Sequence, residues 1–330
     1  MPENVEYAIE TRDLTRRYGR MFAVDHLNLQ VARGALFGFI GPNGAGKTTT
    51  LRMLAGLLEP SAGEVWIDGQ RVDADLRAAR RLIGYMPDFF GVYDDMLVWE
   101  YLDFFARCYG MSASRRKTMV NELLDLVNLA DKHDANVQAL SRGMQQRLCL
   151  AHSLVHDPQI LLLDEPASGL DPRARVEMRE LLKELAAMGK TVIVSSHILS
   201  ELAEMCTQLG IIEKGKMVAS GSMEDIRRQL QMSRILRMRI LGDESTALEV
   251  VKSGALLMSQ AKAILGEPIV IADSGKPGTT LEVELSGSDE AAAMLLAHLV
   301  SRGARVVDFR EAGNELEDLF LRLTETDAKA

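Results

Sequence analysis

Ala35-Leu-Phe-Gly-Phe-Ile40 runs without a break into Gly41-Pro42-Asn43-Gly44-Ala45-Gly46-Lys47-Thr48. A strand-sized apolar run, a glycine-rich loop and a helical pattern over Thr48–Leu57 follow in order, and the loop fits G-x-x-x-x-G-K-[ST]. The chemistry accounts for the spacing. Gly44 and Gly46 let the backbone curl so that successive N–H groups point inward at phosphate oxygens, and the helix N-terminus adds the positive end of its dipole. Lys47 is placed to bridge a β- and a γ-phosphate, and the Thr48 hydroxyl to ligate magnesium.

Two further segments supply what a phosphate loop alone lacks. Ile160-Leu-Leu-Leu-Asp164-Glu165 is an apolar strand ending in two carboxylates. Asp164 at its tip suits a magnesium ion, and Glu165 beside it suits a general base that polarises water. His197, just past the strand pattern Thr191–Ser195, is within reach of the same phosphate if the two strands are neighbours.

Composition bounds the rest. The 330 residues are 47 % hydrophobic and 26 % charged, a balance that excludes a disordered or low-complexity chain and leaves room for two folded units. No run approaches the about 20 apolar residues of a membrane span, and Met-Pro-Glu-Asn-Val-Glu at the start lacks the regions of a signal peptide, so a cytoplasmic location is expected. Cys108, Cys149 and Cys206 have no ligand-like spacing and read as buried thiols. The net charge is −9, and residues 1–232 and 233–330 are each acidic. Neither part suits a protein that neutralises nucleic-acid backbones, so no nucleic-acid partner is expected.

Strand patterns at Ala35–Ile40, Val65–Ile67, Ile160–Leu163, Thr191–Ser195 and Leu209–Glu213 alternate with helical ones, as in an α/β protein with a largely parallel sheet. Ala8–Leu14 and Ala23–Val31 alternate in the manner of an antiparallel edge. Residues 96–157 carry only helical spacing and form an expected helical lobe. After residue 232 the pattern changes. Strand Arg234–Ile240, a helical stretch near Thr246–Leu265, strands Pro268–Ala272 and Thr280–Leu285, helix Asp289–Ser301, strand Ala304–Phe309 and helix Asn314–Leu323 follow the split β-α-β ferredoxin-like order, with a hairpin turn at Ser274–Gly278. Domains of 1–232 and 233–330 are therefore expected.

At this point the chain resembles the nucleotide-binding subunits of ATP-binding-cassette transporters. Leu140-Ser141-Arg142-Gly143-Met144-Gln145 is similar to the family's signature Leu-Ser-Gly-Gly-Gln, Ser168-Gly169-Leu170-Asp171 to its D-loop, His197 to its switch histidine, and Tyr18 to the aromatic that stacks on adenine. The match covers about residues 5–230. The resemblance implies a P-loop NTPase cassette with a RecA-like core, an antiparallel β edge and a helical subdomain, followed by a small α+β domain. It implies ATP and magnesium as cofactors. Tyr18 and Gly41 through Thr49 would hold the nucleotide, Lys47, Glu165, His197 and Asp88 would act in hydrolysis, and Thr48, Asp164 and Asp88 would face the metal. Two copies would sandwich two ATP molecules head to tail, Ser141, Arg142, Gly143, Met144, Gln145 and Asp171 contacting the nucleotide of the other copy.

Two departures stand out. Arg142 and Met144 replace glycine or extend the signature, keeping Ser141 and Gly143. In Met86-Pro87-Asp88 an acid stands where the family has Gln, which puts a further negative charge beside the γ-phosphate.

Residues 85–109 contain Tyr85, Phe89, Phe90, Tyr93, Trp99, Tyr101, Phe104, Phe105 and Tyr109, about half of the chain's aromatics. Tyr101, Leu102, Phe104, Phe105 and Tyr109 have helical spacing and read as core of the lobe. Phe89–Tyr93 has no helical period, and the resemblance makes it the docking place for a separate integral-membrane permease. The expected function is the ATP-hydrolysing subunit of an exporter, peripheral on the cytoplasmic face of the membrane. The alternatives are a soluble cassette ATPase and a slow nucleotide-gated switch.

Overall fold

Alternation in the first thirty residues produces a hairpin. In the computed structural model, β1 (Tyr7–Tyr18) and β2 (Met21–Ala32) pair antiparallel, and β1 pairs on its other side with β4 (Ala62–Ile67), which carries β5 (Gln70–Arg71). The structure describes residues 7–72, 76–89, 91, 95–223, 225–226, 233–255, 258, 263–271, 277–286 and 289–311. These strands form a four-stranded sheet of their own with the order β2-β1-β4-β5. The antiparallel pairing expected for the first two strands is present, in a sheet separate from the parallel one, and the pattern at Val65–Ile67 belongs here rather than with the parallel strands. Every strand of this sheet pairs antiparallel, so one face can stay polar, as the exposed Gln30 and Glu64-paired Arg71 side chains require.

The second sheet holds β3 (Leu36–Ile40), β6 (Ile83–Met86), β7 (Ile160–Asp164), β8 (Thr191–Ser196) and β9 (Gln208–Glu213), all parallel, with β10 (Lys216–Gly221) antiparallel beside β9. Its order is β10-β9-β3-β8-β7-β6. Every residue of β3, β7 and β8 is buried, the mark of strands covered on both faces, which explains their continuous apolar sequences. The C-terminal ends of β3, β8, β7 and β6 therefore lie side by side.

Helix α1 (Lys47–Leu54) follows β3 and stops before the expected Leu57, because Gly56 takes φ +64°. Helix α2 (Leu76–Leu82) leads into β6. The helical lobe consists of α3 (Val98–Cys108), α4 (Ala113–Leu126) and α5 (Arg142–Leu154), with Ser112 capping α4. Tyr101 and Leu102 are buried in it, but Phe104 and Tyr109 are half-exposed. Phe104 flanks the face buried through Val98, Leu102 and Ala106, and Tyr109 follows the last residue of α3; both use ring contacts instead: Phe104 on Phe105 at 5.1 Å, Tyr109 on His156 at 4.2 Å. Helices α6 (Pro172–Ala187) and α7 (Leu199–Ala203) complete this unit. Cys149 is buried and Cys206 partly so, whereas Cys108 at the end of α3 is exposed, against expectation.

The chain divides into two compact units, Met1–Ile226 and Arg227–Ala330. The second holds a five-stranded sheet of β11 (Ser233–Leu241), β12 (Ile264–Leu265), β13 (Ile269–Ile271), β14 (Thr279–Ser286) and β15 (Arg305–Glu311), ordered β12-β14-β11-β15 with β13 also on β14. All its pairs are antiparallel. Leu236, Met238, Ile240, Leu281 and Val283 form a core with Ala247 and Val251 of α8 (Glu244–Ser253) and Leu295 and Leu299 of α9 (Asp289–Ser301). The helical stretch expected to run to Leu265 is interrupted after Ser253 by Gly254; Ala255 and Met258 beyond it are again helical, and Ile264–Leu265 is strand. Helix Asn314–Leu323 and most of the turn Ser274–Gly278 lie outside the described residues, as do Phe90, Val92 and Tyr93; Phe89 is 83 % exposed. Among the described residues no helix is long and apolar enough to cross a membrane.

Candidate active site

Close backbone approach builds the phosphate loop. A Cβ on Gly41 would sit 2.3 Å from the Ile212 carbonyl oxygen, and one on Gly46 would sit 2.4 Å from that of Ala23. Gly44 and Gly46 take φ of +82° and +110°, values that an L side chain resists. The β9–β10 turn braces the loop. Gly215 N–H donates to the Ala45 carbonyl at 2.9 Å, and the Gly215 carbonyl accepts from Asp25 N–H at 2.8 Å, so a backbone chain links the loop to β2.

Lys47 is buried at the start of α1, donating to the Gly41 carbonyl at 2.6 Å. Its Nζ also lies 3.3 Å from Glu165 Oε1, and Glu165 Oε2 is 2.9 Å from His197 Nδ1. Residues that follow β3, β7 and β8 thus meet, the last two 32 positions apart in sequence, because their strands are adjacent and parallel. Glu165 takes φ +51°, a left-handed value that costs a non-glycine residue of order 1 kcal/mol and recurs at functional positions.

Asp164 is 1 % exposed. Burial pushes its carboxyl above the usual range, the charges of Asp88 and Glu165 push the same way, and the Ser195 and Thr48 hydroxyls oppose them. Ser195 Oγ donates to Asp164 Oδ1 at 2.8 Å, while Oδ2 is buried with no hydrogen-bond partner. A partnerless anionic oxygen beside a threonine hydroxyl is the donor set that a hard cation takes, and these residues fit magnesium.

These groups open onto one cavity of about 540 Å³, lined by Tyr18, Pro42, Asn43, Gly44, Ala45, Gly46, Lys47, Thr48, Thr49, Asp88, Glu165 and His197, together with Met21, Phe22, Ala23 and Ser168. Tyr18 is half-exposed at its mouth, the Arg16 guanidinium lying 4.7 Å from the ring centroid.

Ser141, Arg142, Gly143, Met144, Gln145 and Asp171 lie outside this cavity and make a second cluster at the starts of α5 and α6. Ser141 Oγ accepts from Met144 N–H at 3.4 Å, Asp171 Oδ1 accepts from Arg173 and Ala174 N–H at 3.0 Å each, and Gln145 Nε2 donates to the Val137 carbonyl at 3.5 Å. The Arg142 guanidinium lies against Gly169, where a Cβ would come within 2.5 Å of Cζ. Gly143 faces Ala174 and Leu170.

Sequence reasoning missed Ser195, Arg16, Met21 and Phe22. Ser195 leaves one signal, a fully buried polar residue at the tip of an apolar strand. Met21 and Phe22 leave none, since only the hairpin register puts them at the cavity, and Arg16 is linked to it only through its contact with the Tyr18 ring.

A phosphate loop, a strand-end Asp-Glu pair and a histidine converging on one pocket of a parallel sheet define a P-loop nucleoside triphosphatase. A family model described as ABC transporter matches residues 24–168. Nod factor export ATP-binding protein I of Paraburkholderia xenovorans (strain LB400) is 44 % identical over 217 residues, 66 % of this chain and 71 % of that one. The protein of the same name from Ralstonia nicotianae (strain ATCC BAA-1114 / GMI1000) is 35 % identical over 317 residues, 96 % and 93 % of the two chains. Among solved structures, an ATP-binding subunit of an ABC transporter matches with a TM-score of 0.61 at 31 % identity, over 68 % of this chain and 93 % of that one. A dimeric bacterial ABC transporter cassette matches at 0.60 and 28 %, over 65 % and 98 %. The chain belongs to the ABC transporter family, as an ATP-binding, ATP-hydrolysing subunit, and its first unit has the mixed α/β cassette fold.

Proposed function

We propose that two copies of this chain clamp two ATP molecules and drive a separate membrane permease that exports its cargo, the cassettes sitting on the cytoplasmic face of the membrane. The observation that carries the reading is the Glu165 carboxylate held between Lys47 and His197, at 3.3 and 2.9 Å, on the wall of the phosphate-loop cavity. Glu165 takes a proton from the attacking water, His197 orients that carboxylate and faces the γ-phosphate, and Lys47 carries the phosphate charge. Tyr18 offers its ring to adenine. Thr48 and Asp164 would hold magnesium with Asp88 nearby; bound there, the ion neutralises charge developing on the β- and γ-phosphates.

Ser141 and Gly143, with Arg142, Met144, Gln145 and Asp171, are proposed to meet the ATP of the second copy. Their separation from the cavity within one chain supports a site completed in trans, and a helix N-terminus capped by Ser141 suits a phosphate. The dimeric title of one structural neighbour and the export names of the relatives support dimer and exporter over a soluble cassette ATPase or a slow switch. Permease docking is proposed near Phe89–Tyr93, supported by the exposure of Phe89.

Residues 1–232 and 233–330 are proposed as separate domains. The antiparallel order β12/β13-β14-β11-β15, with a helix after β11 and after β14, supports a ferredoxin-like template for the second, with a regulatory or dimer-bracing role.

The test is the Glu165→Gln variant with wild type beside it. ATPase turnover is expected to fall at least a hundredfold while ATP binding persists and a nucleotide-dependent dimer accumulates on size-exclusion chromatography. Unchanged turnover removes Glu165 as the base; absence of any ATP-dependent dimer counts against the clamp.

A further inference from the structure

Ser195 has a single hydroxyl and two claims on it. The residue is fully buried, and the register of the parallel sheet sets it directly opposite Asp164. Its Oγ donates to Asp164 Oδ1 at 2.8 Å and accepts the backbone N–H of Glu165 at 3.0 Å. A carboxylate only accepts and an amide N–H only donates, so the two bonds use the hydroxyl in its one consistent orientation. One oxygen thereby grips the Asp164–Glu165 peptide from both sides.

That grip falls where the backbone is strained. Glu165 takes φ +51°, and nothing in a glutamate side chain favours the left-handed region. An extended residue here would carry the chain on along β7 and point the carboxylate elsewhere, because successive side chains of a strand alternate in direction. The bond from Glu165 N–H to Ser195 pins the turn at its first atom. The bond to Asp164 Oδ1 fixes that carboxyl too, and leaves Oδ2 as the oxygen without a partner. An alanine would fill the position sterically and leave a buried acceptor and a buried donor unpaired.

We propose that Ser195 is a positioning residue of ATP hydrolysis: its hydroxyl holds Glu165 in the left-handed turn that aims the carboxylate between Lys47 and His197, and sets the orientation of Asp164. This rests on the reading of Glu165 as the base. Ser195 is not among the residues that line the nucleotide cavity and acts through its two neighbours. Since β8 ends at Ser196 and His197 follows, the strand that carries the switch histidine also holds the base in place, and movement of one reaches the other.

The experiment uses the full chain with Ser195→Ala, Ser195→Thr, Glu165→Gln and the double variant Ser195→Ala/Glu165→Gln. Steady-state ATPase, equilibrium binding of a fluorescent ATP analogue and thermal melting are measured for each. Ser195→Ala is expected to lower kcat ten- to hundredfold with KM for ATP and analogue Kd within twofold of wild type. Ser195→Thr, which restores the hydroxyl on a side chain that strands accept, is expected within threefold of wild-type kcat. In the double variant the two losses are expected not to multiply, because groups acting as one unit are non-additive. If Ser195→Ala does not fold, Ser195→Cys, with a weak donor and acceptor of similar size, takes its place under the same expectations. The inference is overturned if the hydroxyl-deficient variant keeps kcat within twofold, if Thr loses as much as Ala, if analogue binding weakens in step with kcat, or if the losses multiply. Turnover retained in Glu165→Gln overturns the reading of Glu165 and this inference with it; turnover lost there but kept in Ser195→Ala overturns the inference alone.

Discussion

Asp88 and Glu165 both line the cavity, and the charges of both act on the buried Asp164 carboxyl, which is proposed to hold magnesium. A neutral amide at position 88 would make the metal contact without the charge. Asp88→Gln is therefore expected to tighten ATP binding measured in chelator, where like-charge repulsion of the phosphates is relieved, and to raise severalfold the magnesium concentration that half-saturates turnover. Unchanged values in both titrations remove Asp88 from the site. At this scale the phosphate loop was fully legible, because each constraint on it is local: Gly41 and Gly46 are demanded by backbone oxygens a few ångströms away, and the motif records that demand. Ser195 was not legible as a partner of Asp164, since 31 residues separate them and only sheet register joins them. Arg16 under Tyr18 was hidden for a related reason: two residues apart on β1 they share a face, but the register is irregular there and only the folded hairpin shows which face meets the cavity.

The junction of α3 and α5 carries a pH dependence. The His152 ring lies 3.8 Å from Phe105 and 5.7 Å from Tyr101, and burial holds its pKa down at about 4, with the neighbouring His156 acting in the same direction. Burial also lowers His156. A histidine at about 4 folded and about 6.5 unfolded leaves the unfolded chain binding more protons between those values. Stability is therefore complete above pH 6.5 and declines toward pH 4, by about 1.4 kcal/mol per unit for His152 within that window. Melting temperature is expected to fall between pH 7 and pH 5, and His152→Phe, which keeps the ring contact, to flatten the slope; an unaltered slope in that variant assigns the decline elsewhere. Helix α9 was read from the sequence to its last residue, and α3 to α5 as a lobe without strands. Element type was harder where length was short. β6 has four residues directly behind α2, too few for a period, and Val65–Ile67 shows only that it is a strand, since nothing in three apolar residues says which of two sheets it joins.

The molecule divides near where composition and pattern change, into Met1–Ile226 and Arg227–Ala330. The first unit was legible as a whole because its motifs fall in fixed order on successive strands. The second carries no chemical motif, so only its alternation of elements could be read, and its helix boundary near Leu265 was misplaced where a two-residue strand gives no signal. Its sheet has a further consequence. β12 and β13 lie along one side of β14, and Ile264 and Ile269 on them are 73 % and 63 % exposed. Among the described strands none pairs beyond them, so this border presents unpaired backbone groups together with apolar side chains, the combination that recruits another β-strand. Residues 233–330 produced alone are expected to aggregate with time and concentration, seen as rising light scattering. Ile269→Lys, a charge on the open border, is expected to keep the same fragment monomeric; scattering that rises equally in both would place the sticky surface elsewhere. How well this unit behaves in solution then depends on a handful of border residues rather than on the strength of its core.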